Sequence, residues 1–104
     1  MSEPKSLCRV GDLCTGHDCY PPRPCITGSS TVFLNNLPIH CVGDLWDVHC
    51  CRHSGDDFHG CHNGVTIAGS SNVWVEGRLV ARTGDPIDCG SKVGLSCSPD
   101  VYCG

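Results

Sequence analysis

Three of the four Gly-Asp dipeptides in this chain close a repeated unit, and each of these is followed closely by a side chain able to bind a metal: Asp12 by His17, Asp44 by His49, and Asp85 by Cys89. The offsets are five, five and four residues. Equivalent positions of a repeated unit converge where the repeat axis leaves the fold, so residues remote in sequence are expected at one apex. A closed tetrahedral Zn²⁺ site needs a fourth ligand, and His59, in the long connection from Cys50 to Cys61 (CCRHSGDDFHGC), is the best placed. Three imidazoles and one thiolate suit zinc, with iron as the alternative. Such a closed shell keeps no position for substrate or activated water, so the chain is expected not to be an enzyme. His53 and His62 lie in the same region, and Cys50, Cys51 and Cys61 are also capable ligands. Adjacent Cys50 and Cys51 cannot both easily reach one ion. His40 reads as a strand residue equivalent to Cys8 and Ala81, not as a ligand.

The elements that must position these residues are visible as a repeat. Residues Ile26 to Asp44, ITGSSTVFLNNLPIHCVGD, align without a gap on Ile67 to Asp85, IAGSSNVWVEGRLVARTGD. Each reads as a GSS lead-in, a short β run, a two-residue turn, a second strand and a Gly-Asp. Asn35-Asn36 is a hairpin signal because Asn tolerates positive φ. Glu76-Gly77 is a poorer one, and a three-residue turn with Gly77 left-handed is expected there. Pro38 cannot donate a ladder hydrogen bond and belongs where no partner faces it.

A third copy is split between the chain ends. Ser6 to Asp12 matches Pro38 to Asp44, and Ser98 to Tyr102 matches Ser29 to Phe33, which should set Val101 opposite Leu7. Closure by both ends removes strand edges that otherwise invite aggregation. Alternation groups Val32, Leu34, Leu37 and Ile39 on the core face of the first hairpin, and Val73, Val75 and Val80 on that of the second. The equivalent aromatics Phe33, Trp74 and Tyr102 then point away. The fold expected is an all-β, single-domain cone of three hairpin units spanning 1–104, with no α-helix, since Gly and Pro interrupt every helical period.

Composition agrees with a fold that needs pinning. The chain has 104 residues, eleven Cys, six His, thirteen Gly and few long apolar residues, so its core must be thin. It carries no apparent secretory signal or membrane-length apolar run, which favours synthesis in a reducing cytosol, where metal ligation is the better reading of some cysteines. The net charge is −4 and the basic residues are scattered, which disfavours nucleic acid. Cys8, Cys14, Cys19, Cys25, Cys41, Cys97 and Cys103 read as small buried hydrophobes, or as disulfides formed after release from the cell. Gly11-Asp12, Gly43-Asp44 and Gly84-Asp85 read as structural turns whose short carboxylates bond backbone N–H groups, not as catalytic acids.

The motifs GDLCTGH (Gly11 to His17), the two GSS-to-GD units, FHG (Phe58 to Gly60) and DPIDCG (Asp85 to Gly90) together resemble the PAAR-repeat proteins over essentially the whole chain. The resemblance implies a small cone whose tip holds zinc through three His and one Cys, here His17, His49, His59 and Cys89. It further implies a base seated, one copy per trimer, on the homotrimeric β-helical spike (VgrG-like, or a phage central spike) of a type VI secretion system or contractile phage tail. Assembly in the cytoplasm, a final place at a virion tail tip or outside the secreting cell, and transient contact with a target membrane go with it. The chain departs from the family in its many cysteines and in Ile39-His40-Cys41, where a small residue and an Arg are usual, as in Ala81-Arg82. The alternative function is a secreted disulfide-rich scaffold that binds a receptor or inhibits an enzyme.

Overall fold

The computed structural model describes residues 4–52 and 58–104, and of Arg52, Phe58 and His59 the backbone only. Among these residues the chain is all-β. Its strands are β1 (Lys5–Ser6), β2 (Phe33–Leu34), β3 (Leu37–Pro38), β4 (Leu45–Arg52), β5 (Phe58–Val65), β6 (Trp74–Val75), β7 (Arg78–Leu79) and β8 (Tyr102–Cys103). They pair antiparallel as β1–β8, β2–β3, β4–β5 and β6–β7.

Three of these pairs are the repeated hairpins. In the first, Phe33 pairs with Pro38 and Leu34 with Leu37; in the second, Trp74 pairs with Leu79 and Val75 with Arg78. The third joins the chain ends, Lys5 with Cys103 and Ser6 with Tyr102. Leu7 N–H then donates to Val101 O at 3.2 Å, as the repeat register requires. Asn35 and Asn36 take φ of 53° and 65°, the mirror-image turn that matches strand twist. Glu76 (φ 53°) and Gly77 (φ 78°) form the same two-residue turn, not the expected three-residue one. The Glu76 carboxylate repays its strain by accepting from Thr31 Oγ1 at 2.8 Å and Ser30 Oγ at 3.2 Å, in the neighbouring unit.

Each lead-in is folded by one buried serine. Ser29, Ser70 and Ser98 accept, through Oγ, the amides of Val32, Val73 and Val101 at 2.8, 3.1 and 3.1 Å. Past the hairpins the three chains meet in a closed ring: Cys8 N–H donates to Ala81 O, Ala81 N–H to His40 O, and His40 N–H to Cys8 O, at 2.9 to 3.0 Å. That ring is the pseudo-threefold axis, and all three residues on it are buried.

The Gly-Asp turns follow. Gly11, Gly43 and Gly84 have φ of 96°, 93° and 90°, and the carboxylates of Asp12, Asp44 and Asp85 accept the amides of Arg9, Cys41 and Arg82 at 2.7 to 2.9 Å. Arg9 and Arg82 add ion pairs to their own aspartates at 2.9 Å. Cys41 cannot, and Arg78 of the next hairpin reaches Asp44 at 2.8 Å in its place.

The core has two parts. Leu7, Ile39, Cys41 and Val80 lie beneath the hairpins, with Leu34, Val75 and Cys103 against them. Cys8, Cys14, Cys25, Trp46, Ala81, Ile87 and Val93 fill the other end. The face assignment needs a correction at Val32 and Leu37, which are exposed. Strands of two residues give alternation too little length to hold every flanking side chain inward.

A further difference lies in the Cys50–Cys61 connection. It belongs to an antiparallel pair of eight-residue strands, with Leu45 against Val65, His49 against His62 and Cys50 against Cys61. Two disulfides lock it: Cys50–Cys61 across the pair, and Cys19–Cys51 to the loop after His17. The other seven cysteines are free thiols.

Candidate metal centre

The Gly-Asp turns send three segments toward one end of the molecule. The first forms a tight reversal at His17–Tyr20, whose backbones exchange hydrogen bonds of 3.1 and 2.8 Å around Asp18 (φ 50°). Gly16 permits it, since a Cβ there would stand 2.6 Å from Tyr20 O. The second segment is β4, carrying His49. The third carries Cys89, and β5 approaches it closely because residue 64 is glycine: a Cβ would meet Arg23 Nη2 at 2.7 Å and Cys89 Sγ at 3.3 Å.

His17, His49, His62 and Cys89 come together there, with one ligand atom of each within 4.8 Å of all the others. His62 Nε2 lies 3.0 Å from His17 Nε2 and 2.8 Å from His49 Nε2. His49 Nδ1 donates to Pro21 O at 2.8 Å, which leaves its Nε2 lone pair aimed inward. Burial, reinforced by nearby cationic groups, holds His49 and His62 below the usual imidazole range, so both favour the unprotonated form that a metal requires. Tyr20 lies against all three rings, with centroids 4.2 to 4.9 Å away.

Buried Arg23 braces the floor of the site. Its guanidinium donates to Cys14 Sγ at 3.0 Å, Cys89 Sγ at 3.4 Å and Asp47 O at 2.8 Å, and lies 5.5 Å from the Trp46 ring. Burial alone would raise the Cys14 thiol, but hydrogen bonds from Arg23 and Gly16 lower it on balance. Of the four ligands expected from sequence, the structure brings together His17, His49 and Cys89. The side chain of His59 lies outside the described residues; its backbone is the extra residue where β5 slips register between the Cys51–Gly60 and Arg52–Phe58 pairs. Among the described residues the fourth member is His62, whose register opposite His49 could be found only once β4 and β5 were paired.

A donor set of three imidazoles and one thiol, with one ligand atom of each within 4.8 Å of the others, fits a tetrahedral borderline ion. A family model for the PAAR motif matches residues 15–94, a span that includes all four of these side chains. The chain belongs to the PAAR-motif family. Comparison with curated proteins returns no match. PAAR-motif membership supports a structural spike-tip role in type VI secretion or phage-tail systems.

Outside the site, this PAAR-motif chain carries His40 on the axis where its other two units carry the small residues Cys8 and Ala81. His40 Nδ1 donates to Thr27 O at 3.0 Å, and its Nε2 accepts from Thr66 Oγ1 at 2.7 Å, which itself accepts from Trp46 Nε1 at 2.8 Å. Both ring nitrogens are thereby satisfied within the core.

Proposed function

We propose that this chain is the non-enzymatic tip of a contractile injection spike, with a zinc ion at the apex and one copy seated on a homotrimeric β-helical partner. The carrying observation is the closed backbone ring of Cys8, His40 and Ala81. It gives one chain three quasi-equivalent sides, and only a threefold partner meets all three alike. Each unit runs from its hairpin, through the ring, to a Gly-Asp turn and on to the metal cluster. The hairpins therefore lie away from the apex, and they carry an equivalent aromatic apiece: Phe33, Trp74 and Tyr102, exposed by 58, 61 and 54%. Repeated exposed rings of this kind suit a docking face.

At the apex His17, His49, His62 and Cys89 would hold the ion, and bound zinc would supply a cross-link in place of apolar packing, which cannot taper to a point. Metal-binding free energy then becomes folding free energy where axial force is greatest. The two disulfides around β4–β5 tie the same loops covalently. Cytoplasmic assembly, followed by delivery outside the cell or incorporation into a virion tail, completes the reading, together with brief contact with a target membrane. Mixing the chain with a trimeric β-helical spike and measuring mass by light scattering tests it. One copy per trimer is expected; three copies or none overturns it.

A further inference from the structure

Three thiols that the apex does not use lie together at the pseudo-threefold axis. Cys8 Sγ is 3.8 Å from Cys25 Sγ. Cys8 Sγ, Cys97 Sγ and a carboxylate oxygen of Asp12 also lie within 4.8 Å of one another. Cys8, Cys25 and Asp12 are buried and Cys97 is half-buried, and all three cysteines are free. They arrive from three separate segments: the axis strand after β1, the approach to the first hairpin, and the C-terminal segment that completes the split unit.

The Cys8–Cys25 separation suits coordination, although Cys25 Sγ does not lie within 4.8 Å of every other member of the group. Two thiolates each about 2.3 Å from one tetrahedral ion stand roughly 3.8 Å apart. We infer that Cys8, Cys97 and Asp12, joined by Cys25 once its side chain turns from the Arg9 carbonyl, form a second metal site, separate from the apex, that takes a thiophilic d¹⁰ cation of the Zn²⁺ type. Three metal–sulfur bonds form as three thiol protons pass to solvent, and one carboxylate oxygen completes the shell. Zn²⁺ with three thiolates and a carboxylate carries a net charge of about −2, which the adjacent Arg9 guanidinium partly offsets. Arg9 already donates to both Asp12 oxygens at 2.9 Å, and carboxylate oxygens keep acceptor capacity beyond such bonds. In the metal-free thiol form Cys25 and Cys8 donate to the Arg9 carbonyl at 3.0 and 3.9 Å, bonds that are given up as the protons leave.

The third unit supplies an internal comparison. Arg82 and Asp85 repeat the Arg9–Asp12 pair, yet Ala81 stands where Cys8 does. The ion pair therefore serves the turn without thiols, and packing on the axis is satisfied by a methyl group. Cys8 is more than that position needs, and an ion there would fasten the C-terminal segment to the N-terminal strand.

The test does not depend on the spike-tip reading. The full chain, purified under reductant and loaded with Zn²⁺, should contain two ions per chain by plasma mass spectrometry. Cys8→Ala, which copies Ala81, and Cys97→Ser should each drop the content to one. A His17→Ala/His62→Ala variant should keep one, and Cd²⁺ bound to it should give a thiolate charge-transfer band about three times that of the apex, which has a single thiolate. If Cys8→Ala does not fold, Cd²⁺ titration of the unaltered chain decides: four-thiolate intensity supports the site and single-thiolate intensity overturns it. One ion per chain, lost with the apex histidines, also overturns it, as does a disulfide from Cys8 to Cys25 or Cys97.

Discussion

The His40 amide donates to the Cys8 carbonyl at 2.9 Å, joining two strands that are more than thirty residues apart in the chain. The same bond recurs between His40 and Ala81 and between Ala81 and Cys8, so the axis is held by backbone and leaves side chains free to differ. Cys8, His40 and Ala81 differ greatly in size, and the fold absorbs the difference at one place. His40 fills the space beside Trp46 and Thr66.

His40→Ala should therefore cost stability even though Ala81 occupies an equivalent position. The substitution opens a cavity against Trp46 and leaves Thr27 O and Thr66 Oγ1 short of a partner. About 2 to 4 kcal/mol is expected. Chemical denaturation of the reduced, metal-loaded protein measures it, and a change below about 0.5 kcal/mol would sink the account.

At the apex, His62→Ala should release one zinc per chain, while His59→Ala should leave the content unchanged. Metal analysis of the two variants side by side decides between the two histidines. Loss in His59→Ala with retention in His62→Ala would transfer the ligand role to His59.

Chelation should lower thermal stability strongly. The apex has rings and thiol in place of an apolar core, so emptying it sets three imidazoles against one another at close range. A fall in Tm on the order of 10 °C or more is expected, smaller with the disulfides intact than with them reduced. Calorimetry with and without chelator reads it.

Cys50→Ser removes the bond across the β4–β5 pair, and Cys19→Ser frees the loop after His17. The sequence separations are 11 and 32 residues, for which chain entropy gives about 3 to 4 kcal/mol each under oxidising conditions. Under reductant both variants should match the parent chain. Denaturation in the two redox conditions provides the comparison.

Trp74→Ser should weaken capture by a trimeric spike at least tenfold and leave stability within about 0.5 kcal/mol, because the ring is exposed. Phe33→Ser and Tyr102→Ser should behave alike if the three hairpins dock equivalently. Titration of each variant against one spike tests the equivalence.

The hairpins, the split third unit and the Gly-Asp turns were legible in the sequence because each rests on local chemistry. Asn35-Asn36 asks for a mirror-image turn, and Gly before Asp asks for a left-handed residue. Three of the four clustered side chains followed from the repeat alone. His62 did not, because it lies outside the repeat, on a strand with two glycines and an asparagine that shows no alternation. Its place is set by pairing with β4, and the cue available was Cys50 and Cys61 flanking His49 and His62 symmetrically. Arg23 was equally hidden, since its partners Cys14, Asp47 and Cys89 come from three segments.

The split unit has a topological consequence. Because Lys5 pairs with Cys103 as Leu34 pairs with Leu37, Gly104 and Pro4 occupy the places of Asn35 and Asn36. Among the described residues the backbone path nearly closes on itself, with the gap at one of three equivalent turns. A circular permutant with Asn-Gly in the places of Gly104 and Pro4, Met1 to Glu3 removed, and the chain reopened between Asn35 and Asn36 would run through the same three hairpins in a rotated order.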